Sequence, residues 1–272
     1  MIMKRANFTL ALVLGAMLIM PAMWAQKPPQ PKSPKEVEAL QAIQKAQGAD
    51  AQLKAIDNVL ENFADTEYKV MLLQMAMQIS EQKGDYAGTT TYAERTLEAD
   101  PKNIFALATL AIEISGHTRE FDLDKEEKLA KAEKYAKEAI TYSKDAPKVR
   151  PDLPDEQWNN VKRDIVSQAH DALGRAAVLR TNYPVAITEF KTAIDTGATK
   201  DSTTMVRLGD AYMKAGNFDD AIASFDNAAS MPDAPAAVKQ IATSKKAEAV
   251  KAKAAGAKPS APPQNGQVEI KK

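Results

Sequence analysis

The chain has 272 residues, of which 44% are hydrophobic and 6% aromatic, and it contains no cysteine. Thiol catalysis, thiolate metal sites and disulfides are therefore excluded. The 36 basic and 36 acidic residues cancel, so the chain has none of the basic excess on which nucleic-acid binding depends. One substantial core is within reach at this length, without two unrelated domains. Plentiful Ala, Lys, Glu and Asp, and the absence of β-branched runs alternating at period two, favour helices over strands.

In chain order, Lys4 and Arg5 precede an apolar run from Phe8 to Met20, followed by Pro21, Ala22 and Ala25. This is the layout of a secretory signal peptide over residues 1–25, with cleavage after Ala25, although Met23 stands where a smaller residue is usual. The other reading is an uncleaved anchor. The stretch from Phe8 to Ala25 has 18 residues, near the lower limit for crossing a bilayer, and Pro21 interrupts it. The short apolar core and the small residues favour cleavage. Export is expected, to the periplasm first of all, with secretion or inner-membrane anchoring as the other outcomes. Contact with a membrane is expected only if the signal stays in place.

Residues 26–33, with Pro28, Pro29 and Pro31, read as a short extended linker. The folded region is expected over residues 34–254. Ser33, Pro34 and Glu36 give it a helix start with a capping hydroxyl, a first-turn proline and an acid three residues on. About eleven helices follow, with boundaries marked by Pro101, Pro154 and Pro232 and a cap at Asp201. Charges alternate over Lys125–Glu138, where Glu127–Lys131 and Glu133–Lys137 fall at i,i+4 on a solvated helix face. A last helix is expected over Ala234–Lys253, with Asp233 as its N-cap and Pro235 in its first turn. The Gly- and Pro-rich tail at 255–272 has too few apolar residues to fold alone.

A repeat organises the middle of the chain. Leu208, Gly209, Tyr212, Gly216, Ala221, Phe225, Ala228 and Pro232 echo Leu173, Gly174, Ala177, Tyr183, Ala186, Phe190 and Ala193, which begin 35 residues earlier. Small residues at Gly209 and Ala221 suit a close helix crossing, and Leu208, Tyr212 and Phe225 fill the space beside it. Gly216 suits the left-handed end of a helix. A third copy runs from Leu72 through Ala76 and Gly84 to Pro101, with Thr89 and Thr96 at its small positions. A fourth starts near Ile104 and resumes at Ala132–Ile140, after an insertion over roughly Gly116–Asp124.

This order of residues resembles the tetratricopeptide repeat, a helix–turn–helix unit of 34 residues. The resemblance is closest over 167–233, weaker over 69–140 and faint before that. It implies an all-α, right-handed solenoid whose first helices line a groove. By the same resemblance, groove positions are Val70, Leu73, Met77, Phe105, Ala108, Ile112, Asp171, Arg175, Val178, Val206, Asp210 and Met213. The N-terminal half would be apolar and the C-terminal half mixed, suited to an amphipathic helix or an extended peptide. Alternatively, neighbouring helices already cover the apolar positions. The basic and Asn set with which some relatives clamp a terminal carboxylate is not found.

Catalytic and metal signals are thin. His117 and His170 have no partner evident in the sequence, no cofactor motif occurs, and the acids at Asp122, Asp124 and Glu133 meet Glu127 where a calcium loop demands glycine. Among Met71, Met75 and Met77, Met75 is expected in the core and Met77 outward. The chain is read as a non-enzymatic interaction scaffold of the bacterial envelope with a protein or peptide partner. A membrane-tethered assembly factor is the alternative. A cell-wall enzyme on a helical superhelix would need a module of about 100 residues of its own, for which the repeats leave no room.

Overall fold

The computed structural model describes residues 29–259. The signal-peptide reading and the part of the tail beyond Pro259 lie outside the described residues. Among these residues there are eleven α-helices and no strand, from α1 (Pro34–Lys45) to α11 (Ala236–Ala254). They form two compact units, and the division falls within α4 (Tyr86–Ala99), after Arg95.

The first unit holds α1, α2 (Ala49–Asn62), α3 (Lys69–Lys83) and most of α4, with Val149–Asp152 assigned to it as well. Ser33 accepts the Glu36 N–H at 3.1 Å, so the expected capping hydroxyl is in place. The Glu36 carboxylate turns back one residue further than the usual capping box, accepting the Lys32 N–H at 2.6 Å. Its other oxygen accepts the Thr66 hydroxyl at 2.7 Å, which satisfies a carboxylate that is otherwise fully buried. The Pro-rich stretch is tied down where it is described: the Tyr68 hydroxyl donates to the Pro29 carbonyl, and the Gln30 N–H donates to Glu67, both at 2.9 Å. Leu40, Ile43, Ile56, Val59, Leu60, Leu72, Leu73 and Ala76 form the core of this unit. Each large aliphatic among them contributes about 1.5–3 kcal/mol by leaving water. Gly84 ends α3 at φ +71°, a left-handed conformation that glycine adopts without strain.

Tyr92 of α4 donates to Asp57 of α2 at 2.8 Å, and burial followed by this bond pushes its phenol up to about 12. Because the unfolded chain ionises the phenol more easily, its contribution to stability is complete below about pH 10 and is lost as pH rises through about 12. Ultraviolet titration of the folded protein is expected to show one tyrosine ionising about two units late. Tyr92→Phe should remove that late step.

The second unit holds the rest of α4 and α5 (Ile104–His117), α6 (Lys125–Ser143), α7 (Asp155–Leu179), α8 (Tyr183–Thr196), α9 (Ser202–Lys214), α10 (Phe218–Ser230) and α11. Asn103 caps α5 by accepting the Ala106 N–H, and Asp201 caps α9 through the Thr203 and Thr204 N–H groups. The helices pack in sequence, α5 with α6, α7 with α8 and α9 with α10, while α7 also lies along α5 and α11 along α9. The glycines explain the closeness of two of these pairs. A Cβ at Gly174 would fall 2.5 Å from the Phe190 ring, and one at Gly209 would fall 2.5 Å from the Phe225 ring.

Several details differ from the sequence reading. The helix that begins after Pro154 runs unbroken for 25 residues, so the first helix of the 167–200 repeat carries an N-terminal extension. The extension has its own anchors. Trp158 donates to the Ala146 carbonyl at 3.0 Å, and Asp164 accepts both the N–H and the hydroxyl of Thr199 at 2.9 Å. The cap of α11 is Pro235, not Asp233, and it makes no side-chain bond. Gly116 and His117 belong to the last turn of α5, so the insertion proper is residues 118–124. Glu133 binds Arg180 across to α7's end instead of serving only a solvated face. Met77 is buried at 2% exposure, against the outward position expected for it, while half-buried Met75 packs against the core of the first unit as expected. Asp122 and Asp124 both engage Lys128, at 3.1 and 2.9 Å.

Candidate partner-binding surface

The first helices of the second unit carry a polar ladder. Asp171 of α7 is 4% exposed and sits between two arginines. Arg175, one turn further along, donates Nε to Asp171 Oδ2 at 2.8 Å. Arg207 of α9 places Nη1 3.0 and 3.2 Å from the two Asp171 oxygens. The Thr204 hydroxyl lies 3.0 Å from Asp171 Oδ1 and 2.9 Å from Asp201 Oδ2, and donates to one of them at a time. Burial pushes the Arg207 guanidinium below its ordinary range, and Asp171 opposes that shift. The next rung is Asp210 of α9 with Lys245 of α11, at 3.0 Å. On the other side, Arg175 extends over α5, where a Cβ on Gly116 would lie 2.7 Å from its Nη1. The glycine leaves room for that guanidinium.

The groove positions expected from the repeat fall into two groups. Leu73, Met77, Ala108, Ile112, Asp171 and Val206 are buried, so they offer no open surface. The cause is visible within the second unit. Ala108 and Ile112 share a cluster with Ile165, Ala169 and Ala172 of α7, and Val206 shares one with Val238 and Ala242 of α11. Successive first helices therefore cover much of the apolar face. Val70, Phe105, Arg175, Val178, Asp210 and Met213 are half-buried. Phe105 packs at 6.3 Å from the Trp158 ring, on the α7 extension. Arg175 and Asp210, expected as groove charges, are each held by a partner of opposite sign.

Thr204, Arg207 and Lys245 were not singled out from the sequence. Two of them had a signal. Thr204 and Arg207 lie 33 and 36 residues after Asp171, on either side of one repeat length, which places them beside it on the next first helix. The histidines also find partners. His170 Nδ1 lies 2.7 Å from Glu189 of α8, and His117 Nδ1 lies 2.9 Å from the Glu113 carbonyl. Among the described residues, no cluster of three or more His, Cys, Asp or Glu side chains is placed to hold a metal ion. No helix among them is long and apolar enough to cross a membrane.

No family model and no curated protein matches the chain. Solved structures do match it. A thermophilic tetratricopeptide-repeat protein of Thermus thermophilus is similar over 78% of this chain and 95% of its own, with 15% identity and a TM-score of 0.52. PilW, a widely conserved type IV pilus biogenesis factor, is similar over 82% of this chain and 94% of its own, with 13% identity and a TM-score of 0.53. Identities this low speak for the fold alone. The repeated Gly–Phe crossings, the paired helices and these likenesses together give the chain the tetratricopeptide-repeat fold.

Proposed function

We propose that the chain is a non-catalytic interaction scaffold of the bacterial cell envelope, holding a peptide or protein partner along the first helices of its second unit. The observation that carries this reading is the ladder from Arg175 through Asp171 and Arg207 to Asp210 and Lys245. It links α7 to α9 and α9 to α11 before any partner arrives, and so lowers the ordering cost of binding. Beside it, half-buried Val178 and Met213 supply apolar contact next to paired charge. That mixture suits a peptide with alternating apolar and polar side chains better than a uniformly apolar helix. The envelope setting is supported by the signal-like N-terminus.

Peptides selected by display against the purified protein test the surface. Binding of a selected peptide is expected to weaken by about tenfold or more in Val178→Asp or Met213→Asp. Unchanged affinity in both variants would remove this surface from consideration. Export has its own test: the N-terminal mass of protein purified from its native cell should correspond to a chain beginning at Gln26. A mass that retains Met1 would favour the membrane-tethered assembly factor.

A further inference from the structure

The seven residues between α5 and α6 present two large apolar side chains to water. Phe121 is 88% exposed and Leu123 is 107% exposed, two positions apart on the same short loop. Single exposed apolar residues are ordinary on a protein surface, but an adjacent pair at the tip of a tied loop is not. The loop is held from within. The Thr118 hydroxyl donates to the Ile114 carbonyl at 2.6 Å, and Asp122 accepts the Arg119 N–H at 3.1 Å. The Asp122 N–H returns to the Arg119 carbonyl at 3.2 Å, and the Lys125 N–H reaches the Asp122 carbonyl at 3.1 Å. Lys128 clamps Asp122 and Asp124 from the first turn of α6. Arg180 holds Glu126 at 2.8 Å and also binds Glu133, which fastens α6 to the end of α7. Phe121 and Leu123 are thus presented by a fixed backbone.

The charge around them is acidic on balance, although Arg119 is exposed there as well. Residues 119–128 contain five acids and three bases, and two of the bases are engaged, Lys128 by Asp122 and Asp124 and Lys125 by Glu126. Glu120, Asp124 and Glu127 are exposed beside the apolar pair. An anionic lipid surface would repel this rim, whereas lysines or arginines around an apolar cleft would complement it. We propose that the 118–124 loop is a second docking element, which inserts Phe121 and Leu123 into an apolar cleft, rimmed by basic side chains, on a protein partner. This site is separate from the first-helix surface proposed above and stands without it.

The test begins in the native cell, with the photoreactive residue p-benzoylphenylalanine replacing Phe121, and with the same replacement at exposed Thr141 of α6 as control. The adduct specific to Phe121 is identified and its crosslinked peptide mapped. The purified partner is then titrated against wild type, Phe121→Ala/Leu123→Ala and Glu120→Lys/Glu127→Lys. The expected result is an adduct within a Lys- or Arg-rimmed apolar cleft, with affinity about tenfold lower in the first variant. The second variant should lose about threefold or more, and affinity should fall as salt rises. Unchanged melting temperatures would show both variants folded. The proposal is overturned by an adduct specific to neither position, by a crosslink to a second copy of this chain, or by wild-type affinity in the double alanine variant. Flotation of the wild type, but not of that variant, with vesicles of phosphatidylethanolamine and phosphatidylglycerol would overturn it in favour of a lipid surface.

Discussion

Gly209→Ala is expected to destabilise the protein by about 1–3 kcal/mol, the usual range for overpacking a core. The added Cβ would sit 2.5 Å from Cε1 and 2.7 Å from Cδ1 of Phe225, whose side chain is fully buried. Alanine is the better helix former by about 1 kcal/mol, so a net loss means that the steric term is the larger. The ring cannot swing clear without disturbing Ala221 and Ala228, which share its cluster. Phe225→Leu removes the ring edge from the crossing. In urea unfolding, the double variant should therefore lose less than the sum of the two single variants, with a coupling of about 0.5–3 kcal/mol. Asp219→Ala is the control. That carboxylate is 79% exposed and pairs with Lys253 at the surface, so the change should be within about 0.5 kcal/mol. Additive losses at Gly209 and Phe225 would mean that the crossing is held apart by something other than this contact.

The same crossing made the fold legible in the residues. Gly174 and Phe190 repeat the arrangement 35 residues before Gly209 and Phe225, and a glycine facing an aromatic at one fixed spacing is what a recurring close helix crossing requires. Thr89 and Thr96, which depart from the small residues of the pattern, are still buried at the corresponding places. Their hydroxyls can be accommodated inside a helix; Thr89, for instance, donates to the Asp85 carbonyl at 2.8 Å.

The surface was harder to read for physical reasons. A repeat pattern assigns a residue to the first-helix side, but that side is shared between the groove and the next first helix. Met77, Ala108 and Ile112 went to packing, while Val178 and Met213 kept part of their exposure. Polarity gave no better guide. Asp171 carries a charge, yet it is among the more deeply buried residues of the unit, because two guanidiniums and a hydroxyl arrive from 4 to 36 residues away. The α7 extension escaped notice because no repeat signal covers residues 155–166. Of its anchors, Trp158 reaches a carbonyl at no repeat spacing, and Asp164 meets Thr199 one repeat length on but in the loop before α9, where the pattern assigns no residue.

Asp171→Ala is expected to cost about 3 kcal/mol, the low end of what removing one partner of a buried ion pair costs. The low end applies because the Arg175 and Arg207 side chains keep 18% and 29% of their exposure and so retain some water. Without the carboxylate, two like charges face each other across α7 and α9, and the Thr204 hydroxyl keeps only Asp201. Removing one cation as well should restore part of the loss, so Asp171→Ala/Arg207→Met is expected to be more stable than Asp171→Ala. Asp171→Asn preserves an acceptor for Thr204 and should fall between wild type and alanine. A surface pair gives the scale for comparison: Asp50, 87% exposed and bound to Lys83, should change stability by less than about 1 kcal/mol when replaced by alanine. If Asp171→Ala matched Asp50→Ala, the ladder would contribute nothing to holding α7 against α9. A large loss that Arg207→Met partly reverses would instead identify Asp171 as the joint that orients the first helices, and any partner lying across Val178 and Met213 would then depend on it without touching it.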